Sequence, residues 1–304
     1  MFAYELATHP VVSGLLLMGL IGLLSYKLGF VDVSGLISAF VVGFTVWYTG
    51  GPAAFSILLF FFISAGLATK FKYKAKAEKG VAQESKGKRS YRNVLASGII
   101  PMFFSIGMYL SPLFGVNPYW MLGGFVGAVG TTSADTLASE IGVFSKRKPR
   151  LITNLRRKVP SGTIGAVSLL GEAVAALSGL AIGIIVALFA FITPGSVPIA
   201  GTFELVMIIP LSILTAFIGC NLDSFIGAVV QDKYVCEICG AITDREFHCD
   251  YETKHIGGHK QFTNVHVNLG SSGMGATLGI VLGAGLFIWI LGGLFFWILA
   301  SSSN

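Results

Sequence analysis

Charge is what this sequence has least of. Asp, Glu, Lys and Arg make up only 12% of the 304 residues while hydrophobic residues make up 54%, about half the charged fraction of an ordinary soluble domain. That excludes a water-soluble globular protein and leaves a polytopic membrane protein. No GxxxxGK[ST] stretch occurs, so a Walker-type phosphate loop is excluded. The first apolar run, VVSGLLLMGLIGLL, has no basic stretch before it and no small-residue cleavage site, so it is expected to be retained rather than removed as a signal peptide. Nucleic-acid binding finds no support, because the basic residues are confined to loops between apolar runs.

Apolar runs long enough to cross a bilayer, which takes roughly 20 residues, fall near 10–29, 33–50, 52–69, 94–112, 118–142, 165–193, 202–230 and 270–300. The expectation is an all-α polytopic membrane protein of about eight helices, seven to nine if some are broken at glycine. It forms a single integral membrane domain over 1–304, with a polar insert at 231–268. The 39 glycines suit close helix packing, and the 24 phenylalanines suit contact with lipid.

Cations are almost missing from the spans. Lys27, the nine Lys and Arg from Lys70 to Arg92, the seven from Lys146 to Lys158, and Lys233, Arg245, Lys254 and Lys260 account for all 21. With eight crossings, every one lies on the same face. The positive-inside rule makes that face cytoplasmic and puts both termini outside. Topology and contact with anionic lipid would explain the asymmetry without any further function.

Five acids stand outside the loops and the tail. Glu204, at the outer start of the seventh span, is given a structural role. Asp135 and Glu140 in GAVGTTSADTLASEIG, Glu172 in the first turns of the sixth span, and Asp223 near the end of the seventh all approach the inner boundary. An ionisable group in a span is expensive and marks a functional position. With no Lys or Arg in these spans, the acids are expected to lack cation partners. They are then either protonated, facing a wet cavity, or holding a hard divalent cation such as Mg²⁺ with phosphate oxygens; helix-to-helix polar contacts or an ion path are the other readings. Thr131, Thr132, Ser133, Thr136, Asn221, Ser224 and Gln231 bring neutral oxygens nearby. Seven cations, including Arg156, Arg157 and Lys158, lead into the Gly-rich segment PSGTIGAVSLLGE around Thr163, which suits an anion. Arg89 and Arg92, just before the fourth span, are the specific candidates in the first basic loop; its KxKxKxK start reads as a solvated segment at the lipid headgroups.

In the insert, Cys236 and Cys239 form CxxC, and His248 and Cys249 follow nine residues on. That is the composition of a tetrahedral zinc site, with His255 and His259 as further imidazoles. Thiols in an unstructured loop are the competing reading; a disulfide is disfavoured on a reducing face. Cys220 is expected to be a packing residue. Asn264, Asn268, Ser271 and Ser272 close the insert and open the eighth span, and could line the same pocket from another side; Gly270, Gly273 and Gly275 there equally suit plain helix packing.

ADTLASEIG (134–142), PSGTIGAVSLLGE (160–172) and GCNLDSFIGAVVQ (219–231), with the later CEICG and HC, resemble an integral membrane family that includes the phytyl-phosphate kinases of tocopherol synthesis and vertebrate transmembrane protein 19. The likeness runs from about the third span to the C-terminus. It implies transfer of the terminal phosphate of a nucleoside triphosphate, plausibly CTP, to a prenyl or phytyl monophosphate held among membrane lipids. The chemistry then casts Asp135, Glu172 and Asp223 as Mg²⁺ ligands beside Glu140, the five cations Arg89, Arg92, Arg156, Arg157 and Lys158 as phosphate contacts, and Thr132, Ser139 and Asn221 as orienting groups. The lipid tail is expected against Gly123, Gly124 and Gly127. The rivals are a cation-coupled secondary transporter, whose acids would sit near the midplane, and a CTP-dependent lipid-phosphate cytidylyltransferase.

Overall fold

A computed structural model describes residues 10–301 except Glu84, Ala200, Cys239, Ala241 and Arg245, with side chains described as far as residue 284. Eight α-helices run in chain order among the described residues: α1 Pro10–Lys27, α2 Val33–Lys70, α3 Tyr73–Glu78, α4 Tyr91–Leu110, α5 Pro118–Gly142, α6 Leu169–Ile192, α7 Thr202–Val229 and α8 Asn264–Ser301. Six of them are long and apolar enough to cross a membrane. The exceptions are the short α3 and the polar, central α5.

At 38 residues α2 would be about 57 Å long if straight, nearly twice the hydrocarbon thickness. It does not run straight. Gly51 leaves helical geometry at φ 70° and ψ −173°, and Pro52 starts the second arm. The φ favours glycine, and a proline at a first helical position loses no hydrogen bond. The arms fold back on one another: Trp47 meets Phe55 edge-on at 5.6 Å, and Phe30, just before the helix, packs against Gly66 near its far end. With α2 counted as two arms and α5 included, eight helical segments fall on the eight runs expected.

The other helix starts follow their caps. Asn117 Oδ1 accepts from Tyr119 N ahead of α5 (3.0 Å), and Ser168 Oγ accepts from Gly171 N ahead of α6 (3.1 Å). Glu204 reaches back to Gly201 N (3.0 Å) at the start of α7, the structural role expected of it. α8 begins at Asn264, earlier than the hydropathy suggests, because Asn268 and Ser271 are polar yet helical.

α5 lies at the centre, packed by α4, α6, α7 and α8. A Cβ built on Gly127 would stand 2.1 Å from Gly275 O, and one on Gly123 would stand 2.6 Å from Gly279 O. α5 and α8 therefore touch backbone to backbone through paired GxxxG steps. Gly124 is filled by the Phe104 ring. These glycines leave no room for a lipid tail, which corrects the expectation that one lies there.

The basic loops carry short strands rather than open coil. β1 Arg150–Leu151, β2 Asn154–Lys158 and β3 Ala166–Val167 make a sheet in the order β2-β1-β3. In the insert, β4 Lys233–Val235, β5 Ile242–Thr243 and β8 Lys254–Gly257 pair in the order β5-β4-β8, and β6 Phe247–His248 pairs with β7 Tyr251–Glu252.

Candidate active site at the basic end of the bundle

Asp135 on α5 and Asp223 on α7 come together: their carboxylates lie within hydrogen-bonding reach of one another. Ser271 on α8 donates its hydroxyl to Asp223 Oδ1 at 2.6 Å. Asn268, one turn earlier on α8, has a buried Oδ1 with no hydrogen-bond partner among the described atoms. Two adjacent carboxylates must share a proton or a cation, and the unpartnered buried oxygen of Asn268, on the same helix as Ser271, is a further donor that a cation could use.

The site is near the helix ends. Asp135 is seven residues from the end of α5, Asp223 six from the end of α7, Glu172 three from the start of α6 and Ser271 seven from the start of α8. At 1.5 Å per residue these are depths of about 5 to 10 Å. A midplane ion path would need about 15 Å.

Arg89 faces this group from a fourth direction. Its main chain adds to the α1–α2 turn through Arg89 N to Phe30 O (2.9 Å) and Asp32 N to Arg89 O (3.1 Å). Gly35 is needed where that carbonyl passes, since a Cβ there would stand 2.1 Å from it. The guanidinium stacks on Phe61 with Cζ 5.5 Å from the ring centroid. Burial pushes the Arg89 pKa below its ordinary value, and the charges of Glu140 and Asp135 oppose that shift.

Glu172 is held by Asn221, whose amide donates to Oε2 at 2.9 Å and to Phe217 O at 2.9 Å. Cys220 packs between them, buried, within electrostatic range of Asp135, Glu172 and Asp223.

Glu140 departs from the expectation that the acids have no cation partner. Lys76 on α3 forms a buried ion pair with Glu140 Oε2, and Thr69 donates to Oε1 at 3.0 Å. Lys76 also donates to Ala68 O (2.8 Å) and Thr69 O (2.9 Å). One residue of the KxKxKxK stretch is thus folded into the protein, 1% exposed, and not solvated. The missed signal was the partner that Glu140 required, reachable from a loop although absent from every span.

Other candidates are not gathered here. Arg92 is exposed, its Nε on Tyr91 Oη at 3.2 Å. Arg156, Arg157 and Lys158 lie on β2, an edge strand exposed throughout. Thr163 closes a turn on Pro160 O (2.8 Å). Thr132 and Ser139 spend their hydroxyl protons on Ala128 O and Thr136 O, both at 3.0 Å. In the insert, the ligand atoms of Cys236, His248 and Cys249 lie within 4.8 Å of one another; Cys239 lies outside the described residues.

Helices packed through glycine around a polar, carboxylate-bearing central helix define a polytopic membrane protein with its ionisable centre near one face. The chain belongs to the DUF92 integral membrane family, whose profile matches residues 16–276, the family that its three motifs resemble. It is 32% identical to an uncharacterized membrane protein of Methanocaldococcus jannaschii over 185 residues, 61% of this chain and 72% of that one. It is 29% identical to protein PGR of Arabidopsis thaliana over 244 residues, 75% and 81% of the two chains. With protein VTE6, chloroplastic, of the same plant, it shares 32% identity over 209 residues, 66% of this chain and 57% of that one. No solved structure matches.

Proposed function

We propose that the chain is a membrane lipid-phosphate kinase that moves the terminal phosphate of a nucleoside triphosphate such as CTP onto a prenyl or phytyl monophosphate. The observation that carries this reading is the meeting of Asp135, Asp223 and Ser271 from three helices, with Arg89 facing them, a few ångströms below the basic end of the bundle. Membership of a family that includes phytyl-phosphate kinases supports it.

Two phosphates brought together repel, so the protein's task is to neutralise and align them. Asp135, Asp223 and Glu172 would hold Mg²⁺, with the Asn268 oxygen as a further donor. Such an ion neutralises charge on the nucleotide phosphates. Arg89 covers the phosphate that approaches its side. Arg156, Arg157 and Lys158 meet the incoming nucleotide from solvent. An oxygen of the acceptor monoester attacks the terminal phosphorus, and the bond to the bridging oxygen breaks. The nucleoside diphosphate then leaves with that oxygen's electron pair. The acceptor is already an anion near neutral pH, so no side chain has to remove a proton. The lipid tail has a place beside the site: an open apolar groove of about 590 Å³ between α7 and α8, lined by Ile218, Leu222, Gly270, Gly273, Met274 and Leu278. Leu222 and Gly270 are the chain neighbours of Asp223 and Ser271. The basic face is cytoplasmic in this reading, and both termini lie outside.

The test is label transfer from γ-labelled nucleotides to prenyl monophosphates by purified protein with Mg²⁺. Asp135→Asn and Asp223→Asn should each lower the rate roughly a hundredfold or more. No label on lipid, with uptake into liposomes instead, would replace the kinase by a transporter. Release of pyrophosphate would replace it by a cytidylyltransferase.

A further inference from the structure

Among its described residues the insert between α7 and α8 has strands but no hydrophobic core cluster of its own. β5, β6 and β7 are two residues each, and Ile238, Phe247 and Tyr251 are 63%, 61% and 63% exposed. A segment this short buries too little apolar surface to fix its shape. Yet its two ends are clasped, Asp232 N to Phe262 O at 3.0 Å and His259 N to Val230 O at 3.1 Å, and its middle converges on sulfur and nitrogen. Cys236, 1% exposed, follows β4 directly, and its Sγ approaches His248 O at 3.7 Å. Cys249 Sγ lies 3.2 Å from His248 Nδ1.

We propose that Cys236, His248 and Cys249, with Cys239 as the fourth ligand from the CxxC spacing, hold a structural zinc ion that orders the insert. Zn–S near 2.3 Å and Zn–N near 2.0 Å place the ligand atoms of a tetrahedral centre about 3.5 to 3.8 Å apart. The three described ligand atoms, all within 4.8 Å of one another, need only small shifts to reach that spacing. The backbone is arranged for it. Gly240, at φ 72°, donates its N–H to Cys236 O at 2.8 Å and so curls the CEICG segment back on itself. Cys249 and Asp250 both sit in the left-handed region, at φ 52° and 63°, as the two-residue turn joining β6 to β7 requires, and that turn sets the Cys249 thiol beside His248. Three thiolates and an imidazole select zinc over magnesium and leave no open position, so the centre is structural and not catalytic.

Its consequence reaches the bundle. The insert joins α7, which carries Asp223, to α8, which carries Asn268 and Ser271. A Cβ built on Gly80 would stand 3.9 Å from His248 Nε2, so the same knot lies beside the turn just after α3. Zinc would therefore set the spacing of the helix ends that frame the carboxylates.

The inference is independent of the kinase reading. It is tested on the full-length protein purified without chelators, by elemental analysis and by release of metal to a chromogenic chelator when thiols are blocked with a mercurial. About one zinc per chain, all of it released by the mercurial, is expected. Cys236→Ser and Cys249→Ser should lose it, whereas His255→Gln should retain it. Parent protein that holds no zinc after incubation with Zn²⁺ in reducing buffer overturns the proposal, as does a Cys249→Ser protein with a full complement. Because the parent alone decides the first question, a serine variant that fails to fold does not remove the test.

Discussion

Glu140 and Asp135 are five residues apart on one helix and have opposite fates. Glu140 is neutralised by Lys76 and Thr69, both of its oxygens in use. Asp135 meets another carboxylate instead. A buried ion pair is weak support for stability when replaced whole but costly when half removed, because the remaining charge has lost its partner. Lys76→Met should therefore destabilise the protein by roughly 3 to 5 kcal/mol, read as a fall in the unfolding midpoint in detergent. Lys76→Met combined with Glu140→Leu should recover most of that loss. The double variant should also keep lipid-phosphate kinase activity within a few-fold of the parent. A stable double variant with no activity would return Glu140 to the catalytic machinery.

Among the helices, glycine does two different jobs, which space around the Cβ separates. Gly127 on α5 has the Gly275 carbonyl where a side chain would go, so Gly127→Val has to push α8 away and should sharply lower the unfolding midpoint. Gly273, two residues before Gly275 and so on the other side of α8, has nothing within 4 Å and lines the open groove beside α7. Gly273→Leu should leave the midpoint unchanged or raise it, since leucine is the better helix former. It should also raise KM for long-chain prenyl monophosphates roughly tenfold, while a short-chain monophosphate is used as before. Equal effects on both chain lengths would take the tail out of this groove. The sequence shows the glycines but not this division, because a helical glycine facing a neighbour's backbone and one facing lipid look alike in one dimension. The spans, the break at Gly51–Pro52 and the polar inner end of α5 were legible, since each depends on local hydropathy or backbone chemistry. The Lys76–Glu140 pair and the convergence on Ser271 depend on contacts between distant segments. The two-residue strands of the loops depend on pairing and leave no periodicity to read.

At the scale of the whole molecule, helix termini, basic loops and carboxylates share one end. Lys27, Lys70, Arg89, Lys158 and Lys233 lie at or beyond the helix ends on that side, and the connection from α4 to α5, Ser111–Phe114, lies at the other. In the proposed kinase this arrangement would let cations attract a nucleotide to the place where the acids would hold its metal, so topology and chemistry would require the same orientation. Sidedness therefore tests both. Lys158→Cys, on exposed β2, and Leu113→Cys, 77% exposed in the opposite connection, should differ in their access to a membrane-impermeant maleimide. In inverted vesicles Lys158→Cys should label above the parent's own cysteines and Leu113→Cys should not; in right-side-out vesicles the result should reverse. Nucleotide added to sealed inverted vesicles should support label transfer to lipid, and nucleotide added to right-side-out vesicles should not. Labelling of Lys158→Cys from outside would place the basic face away from the cytosol. The carboxylate centre would then be separated from any intracellular nucleotide, and the kinase reading would fail with it.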